Sequence, residues 1–368
     1  MSFLTLVGIS AALYTLEVFF FSYAARLARR VCKRKSTAGS VPRVTIVVAA
    51  KDEEKNLQEC IDSLTNLDYP SSSLEIIIVN DKSTDSTAAI VDKAASKFPF
   101  LRRVDASESA LFRGKTNALS QGIQRASGDF IFLTDADCAV GRNWIKDTLE
   151  YFDEGTGIVA GVTLVSKTTK RIDGIQALDW TFLLTVGAGL ATVGRPLACL
   201  GNNLAFRRKA YDDVGGYRKI KFSVTEDYAL FKAIVKSGKW GYKYPMDKLT
   251  LVETLPLTRF AEIFAQRKRW ATGGKDTGFL GTLILAPGFV FHWLILISFF
   301  ISPLTFASFF LFKCLIDSLL LIPTLRLYGK IAHLKFILYF EIYYLIYVAI
   351  LPFSVYFGKP VIWKGRQY

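Results

Sequence analysis

Asp129-Phe130-Ile131-Phe132-Leu133-Thr134-Asp135-Ala136-Asp137 is the stretch on which the reading of the fold turns. Residues 129–133 form a short apolar run with no helical period, which reads as a strand covered on both faces. Two carboxylates separated by one residue follow it directly. At the C-terminal end of a strand in an open α/β sheet, side chains line the crevice where ligands sit. Two hard oxygen donors so spaced suit one divalent ion, Mg²⁺ or Mn²⁺, which also takes oxygens from a bound diphosphate.

The flanking sequence repeats the alternation. Arg43–Ala50 (RVTIVVAA), Leu74–Asn80 (LEIIIVN) and Leu101–Asp105 read as further strands. Helical patterns over 54–64, 85–97, 115–126 and 143–152 separate them, with Asp52 and Glu53 at the positive N-terminus of the first. Strands and helices in this order predict an α/β fold with a mostly parallel central sheet. Beyond Gly155 the pattern is mixed, with strands expected at 158–165 and 199–206. Neither GxGxxG nor GxxxxGK[ST] occurs, which removes the main support for a dinucleotide or P-loop fold.

The rest of the chain is apolar. Of 368 residues, 51% are hydrophobic and 21% charged, which excludes a disordered protein and argues against a purely soluble one. Residues 3–25 are broken only by Glu17, and 23 helical residues span about 34 Å, enough for the hydrocarbon core. Basic residues follow this run instead of preceding it, which favours an uncleaved anchor with the next domain in the cytoplasm. A block over 280–325, turning at Ile301-Ser302-Pro303, holds two spans; a block over 336–357 is a third span or an interfacial segment. Lys313 and Asp317, spaced i, i+4 within a span, read as an internal ion pair.

The net charge of +14 is carried by three stretches, 26–43, 258–275 and 326–335, each beside an apolar block. That placement fits a membrane surface, and no nucleic-acid motif accompanies it. Five cysteines without CxxC spacing, and only two histidines, exclude a structural zinc site and read as reduced thiols. The expected organisation is an N-terminal anchor (1–25), a basic linker (26–42), a cytoplasmic α/β domain (43–255), an amphipathic interfacial helix (256–279), two to three membrane segments (280–358) and a basic tail (359–368).

Three more constellations carry chemistry. Asp81 follows the strand 74–80 and can accept hydrogen bonds from a base or ribose; a turn or helix-cap acid is the plainer reading. Thr225-Glu226-Asp227 opens a helix expected over 228–236, where the acids either favour the helix dipole or supply a general base at Asp227. Gln266-Arg267-Lys268-Arg269-Trp270 lies on the interfacial helix. Gln266, Arg269 and Trp270 share a face, offering an amide, a guanidinium and an indole to a phosphate and a sugar, while Arg267 and Lys268 are expected against lipid headgroups.

Taken in order, VVAAKDEEKNL, IIIVNDKSTDST, GKTNAL, TDADC, TED and QRKRW resemble the membrane-bound, synthase-like glycosyltransferases of family 2 over about residues 44–274. The resemblance implies a GT-A fold and an inverting transfer from a UDP-sugar. It places Asp52, Glu53, Asp81 and Lys115 at the nucleotide sugar, and Asp135 and Asp137 at the diphosphate through a divalent metal. Asp227, beside Glu226, becomes the base that deprotonates the acceptor, and Gln266, Arg269 and Trp270 hold the diphosphate and acceptor. A membrane lipid is the expected acceptor, because few spans leave little room for a pore; a growing glycan in a processive synthase is the alternative. An inactive membrane scaffold and a transporter are the competing classes. The intact acidic motifs speak against the first, and the large α/β domain against the second.

Overall fold

The structure is a computed structural model that describes residues 2–32, 41–274, 278–358, 362–363 and 366–367. The chain divides into two compact units. One comprises Arg30–Leu164 and Cys199–Leu255; the other comprises Met1–Arg29, Val165–Ala198 and Pro256–Tyr368. The basic stretch at 33–40 and most of the tail at 359–368 lie outside the described residues.

After helix α1 (Phe3–Val31), the first unit alternates β1 (Val44–Ala50), α2 (Leu57–Thr65), β2 (Leu74–Asn80), α3 (Thr87–Ala95), β3 (Leu101–Asp105), α4 (Gly114–Arg125) and β4 (Phe130–Asp135). It continues through β5 (Cys138–Val140), α5 (Trp144–Leu149), β6 (Thr156–Ala160) and β7 (Thr163–Val165). The chain then passes through helix α6 (Arg171–Thr192). The rest of the α/β unit is β8 (Leu204–Arg207), α7 (Arg208–Asp213), α8 (Gly216–Lys219), α9 (Glu226–Lys236), β9 (Gly241–Lys243) and β10 (Val252–Thr254).

The main sheet runs β3-β2-β1-β4-β8-β6-β9. β1 pairs in parallel with β2 and β4, and β2 with β3, while β8 is antiparallel to β4 and β6. Ile46, Val48, Ile76, Ile78 and Phe132 are buried together with Leu57, Ile61, Val91 and Trp144 from the helices. Each such side chain contributes roughly 1.5–3 kcal/mol on leaving water. The near-continuous apolar strands follow from helices covering both faces.

The second unit is helical: α1, α6, α10 (Phe260–Gly274), α11 (Gly278–Ile301), α12 (Pro303–Leu327) and α13 (Ile337–Phe357). Among the described residues, five of its helices are long and apolar enough to cross a membrane: α1, α6, α11, α12 and the helix ending at Phe357. The break between α11 and α12 falls at Ser302, whose side chain caps α12 by accepting from the Thr305 amide at 3.2 Å, with Pro303 at the first helical position.

Two expectations are revised here. Residues 43–255 do not form one continuous compact unit, because Val165–Ala198 groups with the apolar helices. The three to four apolar spans expected are five helices of sufficient length and apolarity among the described residues, the unexpected one being α6. Its two acids, Asp173 and Asp179, hid it. Asp173 caps its own first turn, accepting from the Thr169 and Lys170 amides at 3.0 and 2.7 Å, and Asp179 is paired with Arg267.

Candidate active site

The register of the parallel strands assembles the acidic rim. Ala50 of β1 lies opposite Asn80 of β2, and Ala49 lies opposite Asp135 of β4. Asp81 and Asp135 therefore emerge at the same sheet edge, two strand spacings or roughly 10 Å apart. Asp81 is buried, and its amide donates to the Ala50 carbonyl at 2.8 Å.

Asp52 and its neighbours tie the β1 and β2 loops together. The Asp52 carboxylate accepts from the Thr84 amide at 2.8 Å and from the Thr84 hydroxyl at 3.3 Å. The Glu54 amide donates to Asp85 at 3.0 Å, and Glu54 accepts from the Ser86 amide at 3.1 Å. Glu53 accepts from Asn56 at 3.1 Å. Asp52 and Glu53 thus shape the loop beside Asp81.

Lys115 is the hub. It sits on the first turn of α4, which opens at Gly114 with φ +58°, a conformation that costs a residue with a Cβ. Its ammonium lies 2.5 Å from Asp135 Oδ1 and 3.5 Å from Glu226 Oε1. Burial lowers the affinity of Lys115 for its proton, but the carboxylates of Asp135 and Glu226 outweigh it and raise the pKa above the ordinary lysine value. Lys115 is therefore a fixed cation between the β4 and α9 acids.

Asp227, next to the buried Glu226, is held by the backbone. Its Oδ2 accepts from the Gly201 amide at 2.6 Å, and its Oδ1 accepts from the Tyr228 amide at 2.7 Å. A Cβ at Gly201 would stand 2.9 Å from Asp227 Cβ, so only glycine lets the loop come this close. Thr225 precedes α9 without a side-chain cap bond, and it is Asp227 that contacts a backbone amide of the first turn.

Asp137 lies beside Cys138, whose thiol is 3.5 Å from its Oδ1, and the Cys60 thiol donates to the Asp135 carbonyl at 3.5 Å. Burial, then the charges of Asp137 and Asp135, pushes both thiols up, so they stay protonated. All five cysteines are free of disulfides. No cluster of three or more His, Cys, Asp or Glu side chains able to hold a metal occurs among the described residues, so an ion at Asp135 and Asp137 would draw its remaining ligands from water and a diphosphate. Lys115 engages one oxygen of Asp135 and leaves the other for such an ion.

Gln266, Arg269 and Trp270 belong to the helical unit, on α10. The side chain that organises this helix is Arg267, which corrects its expected place at lipid headgroups. Arg267 is 2% exposed. Its Nε donates to Asp179 at 2.6 Å and its Nη1 to Gln266 Oε1 at 2.5 Å, and its guanidinium lies 4.3 Å from the Trp270 ring centroid. Trp270 also packs edge-on against Trp180 at 5.3 Å. Asp179 and Trp180 were not anticipated; an acid followed by an indole in the middle of a helix whose second half is apolar was the available signal.

The expected Lys313–Asp317 pair is present at 2.6 Å, fully buried. Glu341 also binds Lys313, and the Tyr14 hydroxyl donates to Asp317 at 2.5 Å.

A family model described as glycosyl transferase family 21 matches residues 3–368. The chain belongs to glycosyl transferase family 21. The number differs from that of the motif resemblance; both are glycosyltransferase families, and the fold is the expected GT-A one, accompanied by apolar helices long enough to cross a membrane. The family 21 chain is 30% identical over 246 residues to a beta-monoglucosyldiacylglycerol synthase of Synechocystis, covering 63% of this chain and 48% of that one. It is 27% identical over 285 residues to a poly-beta-1,6-N-acetyl-D-glucosamine synthase of Staphylococcus aureus, covering 75% and 65%. It spans about half to two thirds of the length of such curated relatives. Among solved structures, a mannosyltransferase of Pyrobaculum calidifontis, in complex with GDP-Man and Mn²⁺, shares the fold. The TM-score is 0.56 at 19% identity, over 92% of this chain and 99% of that one.

Proposed function

We propose that this chain is an inverting, metal-dependent glycosyltransferase that moves one sugar from a UDP-sugar onto the hydroxyl of a membrane lipid, forming a β-glycoside. The observation that carries the reading is the linked set Asp135–Lys115–Glu226, with Asp227 adjacent and backbone-fixed, at the rim where the parallel strands end.

Cleavage at the anomeric carbon leaves negative charge on the departing diphosphate and positive charge on the sugar. Asp135 and Asp137 would hold a divalent ion, which supplies charge neutralisation for the diphosphate when bound. Lys115, kept cationic, offers its charge to the same region. Asp227 accepts the proton of the acceptor hydroxyl, and its two amide contacts orient the carboxylate before the acceptor arrives. Displacement in a single step inverts the anomeric centre. Asp81, Asp52 and Glu53 are assigned to the nucleotide end, and Gln266, Arg269 and Trp270 to the diphosphate and acceptor. The apolar helices support a seat in the bilayer, and the basic residues that follow the first apolar run favour a cytoplasmic α/β unit.

The lipid acceptor agrees with the name of the Synechocystis relative, and the alternative, a processive polysaccharide synthase, with that of the staphylococcal one. Incubating the full chain in membranes with UDP-hexoses, and with GDP-mannose as comparison, separates them. The expected product is a lipid heavier by one hexose, formed from the UDP donor and abolished by a chelator. A ladder of sugar additions replaces the lipid reading with the polymer one; transfer from GDP-mannose alone changes the donor; no nucleotide release from any donor overturns the enzyme.

A further inference from the structure

Within the helical unit, α1 and α12 border an open cleft of about 440 Å³ that the proposed reaction does not use. Its volume falls within the roughly 300–1,000 Å³ of ligand clefts. Phe19, Ser22, Tyr23 and Arg26 line it from α1, at i, i+3, i+4 and i+7, and Leu319, Ile322 and Pro323 line it from α12, at i, i+3 and i+4. Each set is one helical stripe.

The cleft changes character along its length. Phe19 and Ile322 are apolar. The Ser22 hydroxyl is buried and has no hydrogen-bond partner. Pro323 has no N–H to give the Leu319 carbonyl, so α12 also presents a backbone acceptor with its regular partner removed. Arg26 closes the end of the stripe, about 10 Å along the axis from Phe19. It is exposed and makes no ion pair among the described residues. Arg29 and Arg30 follow on the same helix, and no acid occurs between residues 26 and 43.

An apolar end, a hydroxyl with a bare carbonyl, and an unpaired guanidinium, in that order, match the cross-section of one amphiphile. We propose that this cleft is a binding site for an anionic glycerophospholipid, with its phosphate on Arg26, its glycerol-ester region at Ser22 and an acyl chain along Phe19 and Ile322. Guanidinium and phosphate pair through two parallel charge-assisted hydrogen bonds. The head must be anionic because the ammonium of a zwitterionic lipid would face the uncompensated charges of Arg29 and Arg30. The site is independent of the sugar chemistry, so its test reads binding and not transfer.

The full chain, purified in a neutral detergent, is titrated with phosphatidylglycerol, phosphatidylcholine and diacylglycerol, and bound lipid is counted by native mass spectrometry. Phosphatidylglycerol is expected to bind about tenfold more tightly than either of the others, the weight of one charge-assisted contact. Arg26→Gln removes the preference, Arg26→Lys retains part of it, and Ser22→Leu, which fills the cleft, lowers occupancy by phosphatidylglycerol. Arg30→Gln, on the same basic run but outside the cleft, keeps the preference. Melting curves in the same detergent identify any variant that has lost its fold, and the remaining variants then decide. Equal binding of the three lipids by the unmodified chain overturns the site. Equal loss in Arg26→Gln and Arg30→Gln also overturns it, leaving only a basic surface.

Discussion

Arg267 and Asp179, 88 residues apart, form a buried ion pair of 2.6 Å that joins α10 to α6. The same guanidinium binds Gln266 and lies on Trp270. Gln266 and Trp270, two of the three motif residues assigned to the diphosphate and acceptor, are thus held by a neighbour that the helical-face argument had turned outward.

Removing one partner of this pair strands the other in an apolar setting, which costs about 3–5 kcal/mol. Arg267→Ala is expected to lower the melting temperature of the detergent-solubilised chain and to depress transfer. Arg267→Ala combined with Asp179→Ala recovers part of the melting temperature, because no lone charge remains. An Arg267→Ala protein that melts like the unmodified one means the pair contributes nothing.

Asp227→Asn preserves a carbonyl oxygen for the Gly201 amide but cannot take a proton. Loss of a positioned general base lowers kcat by roughly 10²–10⁴-fold. Turnover should fall by that factor while UDP binding, measured by calorimetry, is unchanged. Transfer at more than half the normal rate would remove Asp227 from the role of base.

Glu75 on β2 makes the stability of the α/β unit pH-dependent. Burial alone would raise its pKa, but bonds from Thr45, the Ser127 amide, Arg102 and the Ser127 hydroxyl outweigh it and hold the carboxyl below its ordinary 4.5. The folded value is the lower one, so the contribution is complete above the unfolded pKa and fades as pH falls through the folded value. Glu75→Gln should melt earlier than the unmodified chain at pH 7, with the gap closing in acid. A gap that widens in acid contradicts the assignment.

Lys313 is enclosed by Asp317 and Glu341, and Tyr14 reaches Asp317 from α1. Lys313→Met leaves two carboxyl groups facing each other without a cation and is expected to destabilise the helical unit. Lys313→Met with Asp317→Asn and Glu341→Gln should be more stable than Lys313→Met alone, since the charges leave together. Equal melting of the single and triple variants would show that Lys313 has no charge role.

The strands were legible because their signal is local. Leu74–Asn80 and Leu101–Asp105 begin and end where the local alternation of strand and helix patterns put them, and the Ser302-Pro303 break was written in turn and cap chemistry. Asp81, Asp135 and Asp227 could be named as acids at element ends, because a strand terminus or a helix start fixes where a side chain emerges. What lies on one helix is also readable at i, i+4, as Lys313 and Asp317 were.

Sequence by itself therefore determined the α/β alternation, the apolar blocks and the identity of the acidic motifs, all of which depend on residues within a few turns of one another. Tertiary structure alone decided that Lys115 bridges Asp135 and Glu226, that Gly201 fixes Asp227, that α6 sides with the apolar helices and that Arg267 points inward to Asp179. The physical reason is that a charged side chain carries no local sign of whether it faces water or a partner 20 or more residues away. Burying Arg267 is tolerable only because Asp179 is there to receive it, and that is a property of packing.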